Sequence, residues 1–302
     1  MSEPRHFAVI GDPVAHSVSP PMQRAAFHAS GVDADYVAHR VGVDELAPAW
    51  DALRERFEGM NVTRPLKQAA AGLVDDVAPS VAASGTVNTV VRAGGRTVGE
   101  STDGAGFLAA LRRVRPEPVG RAVILGTGGA TRAVAAALAA DGARVDIVGR
   151  NGSAGERLAA ELTSRLAPGA EGTIAHAGGP DLLSALLPGA DLLVNATPLG
   201  DPSMPGSSPL PDDVRLEALD PRPAVFDLIY RPRRTPLLRR AAAAGCPLVE
   251  GIEMLVEQGA RSFELWTGLT APVAAMRTAA YAALDADTGA EDDDAAWTAE
   301  AG

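Results

Sequence analysis

The sequence predicts an α/β protein of two domains, a mixed α/β domain followed by a Rossmann-type, doubly wound one. Three observations carry this. From Phe7 onward short apolar runs alternate with segments of helical periodicity, which is β-α-β patterning. Two apolar runs flank Ala93-Gly94-Gly95-Arg96, which reads as a hairpin, so the first sheet is mixed rather than purely parallel. Later, Ala122 to Leu125 passes directly into a glycine turn and an Ala-rich segment, the order of strand, turn and helix that opens a doubly wound sheet. At about 150 residues per domain, 302 residues suffice for two such cores.

In chain order, Phe7 to Ile10 is the first strand, and a helix runs from about Ser19 to Ser30, with Ser19-Pro20 a plausible helix start. Tyr36 to Val41 is the next strand, and a helix follows Val43. Val87 to Val91 and Thr97 to Gly99 form the hairpin, and a helix spans about Gly104 to Val114. Pro116, Pro118 and Gly120 mark the boundary, after which strands lie at Ala122 to Leu125, Val145 to Val148, Leu192 to Asn195 and Val225 to Ile229. The run Ala133 to Ala140 is rich in the best helix former and belongs to a helix. From Asp285 to Gly302 there are seven acids and no base, the composition of a disordered tail. Without that tail the body carries a net charge of only −4.

Composition narrows function. Apolar residues make up 46% and charged residues 22%, ordinary globular usage. A net charge of −11 and a pI near 4.9 repel polyanions, so neither nucleic acid nor an anionic membrane surface is an expected partner. Cys246 is the only cysteine, and there is no eighteen-residue apolar run and no charged-then-apolar leader. A soluble, cytoplasmic protein is expected. His6, His16, His28, His39 and His176 show no metal-ligand spacing, so no metal is expected.

The cations are more informative. Of 27 basic residues, every one but Lys67 is arginine. An ammonium can be tuned to exchange protons near neutrality and a guanidinium cannot, so the exception fits acid/base chemistry. Lys67 closes Asn61-Val62-Thr63-Arg64-Pro65-Leu66-Lys67, polar groups at the end of a strand and the start of a helix. Ser17 and Ser19 lie in the loop after the first strand, where hydroxyls can bind an anionic, polyhydroxylated ligand.

Gly126-Thr127-Gly128-Gly129-Ala130-Thr131 fits a phosphate-cradling turn, with Thr131 in the place of the third glycine of G-x-G-x-x-G. After the next strand come Gly149, Arg150 and Asn151. Arg150 suits the 2′-phosphate of NADP with its planar fork. Asp146, twenty residues past Gly126, is the competing signal for NAD, but it lies inside the strand rather than at its tip.

From Phe7 to about Tyr281 the chain resembles the shikimate dehydrogenase family. The motifs are the Ser17/Ser19 loop, Asn61-Val62-Thr63-x-Pro65-x-Lys67, Val87-Asn88-Thr89, Thr102-Asp103-Gly104-x-Gly106 and Gly126-x-Gly128-Gly129-Ala130. Downstream are Asn195-Ala196-Thr197-Pro198-Leu199-Gly200, Asp227-Leu228-Ile229-Tyr230-x-Pro232-x-x-Thr235 and Gly251-x-x-Met254-Leu255-Val256-x-Gln258-Gly259-Ala260.

The resemblance implies a substrate domain of residues 1–103 completed by helices at 252–284, with an NADP domain of residues 104–251 between them. It implies reversible reduction of 3-dehydroshikimate to shikimate by NADPH, on the route to aromatic amino acids. Lys67 would be catalytic, paired with Asp103. Ser17, Ser19, Asn61, Thr63, Asn88, Thr102, Tyr230 and Gln258 would join them in binding substrate. Gly126, Thr127, Gly128, Gly129, Ala130, Arg150, Asn151, Thr197, Gly251 and Met254 would contact the cofactor.

The chain departs from the family at Ser101, where Asn is more usual, at Gln23-Arg24 in place of His-Asn, and at Gly149 in place of Asn. Two alternatives stand beside this reading. One is a sister dehydrogenase acting on quinate or an aminoshikimate with NADP or NAD; the other is a paralogue that binds the nucleotide without turnover. The sequence leaves monomer and homodimer equally open.

Overall fold

The computed structural model describes residues 4–288. Two six-stranded sheets are built in chain order. The first comprises β1 (Arg5–Gly11), β2 (Ala34–Arg40), β3 (Gly59–Val62), β4 (Asp76–Val77), β5 (Thr89–Ala93) and β6 (Arg96–Glu100). Helices α1 (Ser19–Ala29), α2 (Val43–Arg56), α3 (Lys67–Ala71) and α4 (Pro79–Ser84) lie between them. α5 (Asp103–Val114) leads to the second sheet, β7 (Arg121–Leu125), β8 (Arg144–Val148), β9 (Thr173–Gly178), β10 (Leu192–Asn195), β11 (Ala224–Asp227) and β12 (Leu248–Val249). Among these strands lie α6 (Gly129–Ala140), α7 (Gly152–Arg165), α8 (Leu183–Leu186) and α9 (Pro236–Ala243), and α10 (Gly251–Thr267) and α11 (Val273–Thr288) close the chain.

The first sheet runs β2-β1-β3-β5-β6-β4. β1 is parallel to β2 and β3, whereas β5 is antiparallel to both β3 and β6, so the sheet is mixed. The hairpin is closed by Gly94 and Gly95 at φ 59° and 79°, a two-residue turn that needs left-handed backbone at both centres. The second sheet runs β12-β11-β10-β7-β8-β9 with every pair parallel. That is the doubly wound order, with its switch point between β7 and β10.

Period-two burial explains why both sheets are covered twice. Phe7 and Val9 enter one cluster with Phe27, Ile252, Phe263, Trp266 and Met276, while Ala8 and Ile10 enter another with Leu46, Trp50 and Leu66. In β7, Ala122 and Ile124 pack toward Phe107, Val134 and Leu138, and Val123 and Leu125 toward Leu193, Leu237 and Leu238. Such two-sided burial is what parallel strands require. α10 and α11 therefore supply part of the core of the first sheet, although they follow the second in sequence.

The first strand of the hairpin, expected at Val87 to Val91, lies at Thr89–Ala93, and two other expected boundaries move for visible reasons. The strand expected to reach Ile229 ends at Asp227, because the carboxylate accepts a hydrogen bond from Ile229 N at 3.1 Å and turns the chain. The expected acidic tail begins at Asp285, yet α11 continues to Thr288. The Ala-rich helical periodicity runs on through Leu284, which is 1% exposed, and Asp285 Oδ1 lies 3.8 Å from Arg233 Nη1. The rest of that tail lies outside the described residues. Among the described residues no helix is long and apolar enough to cross a membrane.

Candidate active site

Lys67 opens α3 just after β3, and Asp103 opens α5 just after β6. Because β5 is antiparallel to both β3 and β6, those two strands run the same way and end at one edge of the sheet, where β5 begins. Residues 67, 88 and 103 thus converge from three adjacent strands. Lys67 Nζ lies 2.5 Å from Asp103 Oδ2, with side chains 19% and 5% exposed. Asp103 also sits at the amino end of α5, where the helix dipole favours a negative charge.

Asn88 organises the floor of this edge. Its Nδ2 lies 2.8 Å from Thr102 Oγ1, 2.9 Å from Asp103 Oδ1 and 3.1 Å from Gln258 Oε1, two hydrogens shared among three acceptors. Its Oδ1 accepts from Thr102 N at 2.7 Å. Gln258 reaches this edge because α10 crosses α5 at Gly106, where a Cβ would lie 2.5 Å from Gln258 N.

Asn61 is a different case. Its Oδ1 accepts from Tyr36 Oη at 2.7 Å, and its Nδ2 donates to Asn88 O, Thr89 Oγ1 and Ser262 Oγ at 3.0–3.1 Å. Its amide holds the site from beneath. Thr89, from the Val87-Asn88-Thr89 motif, and Ser262 belong to this network, and Ser262 does not stand out in the sequence. The available signal was the spacing of Ser262, one helical turn after Gln258.

The serine loop lies on the neighbouring strand. Ser17 Oγ accepts from Ser19 N at 3.2 Å, and α1 has Val18 as its N-cap with no side-chain hydrogen bond, so Ser19 is not a cap. Thr63 is half-buried in the loop leading to Lys67. That loop meets β1 closely, since a Cβ on Gly11 would lie 2.8 Å from Arg64 O. Tyr230 is half-buried on the loop after β11, and burial raises its phenol pKa.

On the second sheet, Gly126 takes φ 112°, and a Cβ there would lie 3.0 Å from Ala196 O. The turn after β7 therefore abuts the loop after β10. Cβ atoms on Gly128 or Gly129, by contrast, would meet nothing within 4 Å, which leaves the amino end of α6 open to a pyrophosphate. Thr127 and Ala130 lie in the same turn, both half-buried. Thr131 fits in place of the third glycine because its Oγ1 donates to Gly126 O at 3.0 Å. Arg150 is exposed beyond β8. Asp146 is 1% exposed and pairs with Arg121 at 2.8 Å and Arg144 at 3.4 Å, away from the strand tip. These features fit NADP better than NAD.

Other expected cofactor contacts are engaged internally. Asn151 Oδ1 caps α7, accepting from Ala154 N at 3.0 Å. Met254 is buried in the core of the second sheet. Gly251 allows close packing, since a Cβ there would lie 2.6 Å from Ile229 O. Thr197 faces Asn195, whose Oδ1 accepts from Thr197 N at 3.0 Å and Thr197 Oγ1 at 2.7 Å.

Asn195 Nδ2 in turn donates to Asp227 Oδ1 at 2.9 Å, and Thr235 Oγ1 donates to Asp227 Oδ2 at 2.7 Å. Burial nevertheless raises the Asp227 carboxyl to about 6 from 3.8, outweighing those two donors and the Ile229 amide. A raised carboxyl binds its proton more tightly in the folded state. Its stabilising contribution is complete below pH 3.8 and is lost as pH rises through about 6. Two pKa units correspond to about 3 kcal/mol. The unfolding free energy of the wild type minus that of Asp227→Asn should therefore decline by up to about 3 kcal/mol between pH 4 and pH 7. Denaturant titrations across that range test this, and a flat difference would refute it.

A family model described as the shikimate dehydrogenase substrate binding domain matches residues 9–90, and another, the shikimate 5'-dehydrogenase C-terminal domain, matches residues 251–281. The chain is 44% identical over 284 residues to a Symbiobacterium thermophilum protein named shikimate dehydrogenase (NADP(+)), covering 93% of this chain and 95% of that one. Among solved structures, shikimate 5-dehydrogenase of Thermus thermophilus, in complex with NADP(H) and shikimate, matches with a TM-score of 0.81 at 39% identity, covering 93% of this chain and all of that one. Quinate dehydrogenase of Corynebacterium glutamicum, in complex with NAD, also matches with a TM-score of 0.81, at 30% identity over 93% of this chain and 100% of that one.

Proposed function

The chain belongs to the shikimate dehydrogenase family, and from that premise we propose that it catalyses the reversible, NADP-dependent oxidation of shikimate to 3-dehydroshikimate, a step in aromatic amino acid biosynthesis. The observation that carries this reading is the 2.5 Å pair of Lys67 and Asp103 at the edge of the first sheet, among the polar side chains of Asn88, Thr102 and Gln258.

NADP(H), when bound, supplies the hydride exchange. In the reductive direction the carbonyl oxygen of the substrate gains negative charge, and the Lys67 ammonium stabilises that charge and donates the proton. In the oxidative direction neutral Lys67 removes the hydroxyl proton. Asp103 orients the amine and accepts from a neighbouring substrate hydroxyl. Ser17, Ser19, Thr63, Tyr230 and Gln258 bind the substrate carboxylate and hydroxyls, while Asn88 and Asn61 hold those groups in place.

Gly126, Gly128 and Gly129 hold the pyrophosphate, with Thr127 and Ala130 lining the turn, and Arg150 takes the 2′-phosphate. Charge-assisted hydrogen bonds contribute about 1.5–3 kcal/mol, and tenfold in affinity is about 1.4 kcal/mol. Arg150→Ala should therefore raise the KM for NADP⁺ by about 10- to 100-fold while leaving that for NAD⁺ nearly unchanged.

Initial rates of shikimate-dependent NADP⁺ reduction, with quinate and NAD⁺ in parallel, test the assignment. Turnover confined to shikimate and NADP⁺ is the expected result. Preference for quinate or NAD⁺ would move the chain to the sister activity, and cofactor binding without turnover would point to a non-catalytic paralogue.

A further inference from the structure

Both members of the Lys67–Asp103 pair are tied to α6, the helix whose amino end faces the phosphate site. Asp103 is held through the helix it opens. At the following residue α5 and α6 come so close that a Cβ on Gly104 would lie 2.8 Å from Ala137 Cβ and 2.9 Å from Ala133 O. Lys67 is held through its neighbour. Because a guanidinium offers only donors, the Gln68 amide is assigned with its oxygen rather than its nitrogen toward α6, and it then accepts from Arg132 Nε at 3.2 Å and Nη2 at 3.3 Å.

Arg132 is itself fixed in orientation. Glu161 on α7 clamps it with two bonds, Nη1 to Oε1 and Nη2 to Oε2, both 2.8 Å. Arg165 joins the same carboxylate at 3.1 Å and donates to Ala82 O on α4 at 3.1 Å. On the other side of Lys67, Arg64 Nη1 lies 3.7 Å from Asp201 Oδ2 in the loop after β10. The other oxygen of Asp201 is taken up by Ser203 N and Oγ. The segment from Arg64 to Gln68 is thus attached at both ends to elements of the second sheet.

We propose that Arg132 is a positioning residue, which transmits the placement of the cofactor helix α6 to Lys67 through Gln68. This rests on the reading of Lys67 as the acid/base group and of Gly126–Ala130 as the dinucleotide turn. Arginine suits the role because its planar fork meets Glu161 with one edge and still presents Nε and Nη2 to Gln68. Gln68 is exposed, so its bond to Arg132 adds little to stability. Its effect falls on geometry, where displacement of a reacting group by about 1 Å can cost on the order of 100-fold in rate.

The test uses the full-length chain with Gln68→Ala, Gln68→Glu and Arg132→Met. Gln68→Ala and Arg132→Met should lower kcat about tenfold or more, with the KM for shikimate within about twofold and cooperative unfolding retained. Gln68→Glu keeps an acceptor for the guanidinium and should recover most of the loss.

In parallel, amide hydrogen exchange of residues 64–71 is followed with and without NADP⁺ alone. The cofactor should protect this segment in the wild type and not in Gln68→Ala or Arg132→Met. Wild-type turnover reports on the functional reading, and the exchange measurement reports on the linkage whatever the substrate. Unchanged kcat and unchanged protection in Gln68→Ala would overturn the proposal. So would an Arg132→Met defect confined to the KM for NADP⁺, which would make Arg132 a phosphate ligand.

Discussion

Replacing Lys67 with alanine should lower turnover by about 10²- to 10⁴-fold, the range of a lost general acid/base, with a much smaller change in the KM for shikimate. The asymmetry follows from when the ammonium interacts most strongly. It meets a neutral oxygen in the ground state and a developing alkoxide in the transition state, so most of its effect falls on kcat. The fold should survive, because Asp103 keeps its bond from Asn88 Nδ2 at 2.9 Å and the amino end of α5 when the lysine is gone. Steady-state rates with circular dichroism as a control decide the matter. Turnover within a few-fold of wild type would remove Lys67 from the mechanism.

Asp103→Ala should damage both catalysis and stability. The carboxylate is 5% exposed and its partner 19%, so removing it strips a largely buried ammonium of its counterion and takes one acceptor from Asn88. Breaking a fully buried pair costs about 3–5 kcal/mol, and the partial exposure of Lys67 places the expected loss near the lower end. Turnover should fall as well, because the amine then lacks the group that aims it. Chemical denaturation beside kinetics separates the two variants: Lys67→Ala slow but stable, Asp103→Ala slow and destabilised. A fully stable Asp103→Ala would show that the ion pair contributes nothing to the fold.

Much of this protein was legible in its sequence, and the reason is local. Strand and helix periodicities, the Gly94-Gly95 hairpin and the turn at Gly126 to Gly129 depend on backbone and side-chain preferences within a few residues. Lys67 was visible because it is the only lysine. The short strands β4 and β12, with two residues each, carry no periodicity to read. β9 is an edge strand, Thr-Ile-Ala-His-Ala-Gly, in which only Ile174 is buried, so it alternates weakly.

What only the tertiary structure decided is how side chains far apart in sequence divide their hydrogen bonds and their space. Asn61 and Asn88 look alike in sequence. In the fold Asn61 is bound to Tyr36 and Ser262 beneath the site, whereas Asn88 touches Asp103 and Gln258 directly. Met254 sits in a family motif yet packs in the core, because its position on α10 faces the second sheet. The link from Gln68 to Arg132 joins residues that belong to different sheets, and neither residue type marks it. Local preference determines which elements form. Which polar group remains available to a ligand depends on the buried donors and acceptors that reach it first, and that is settled only when distant segments pack.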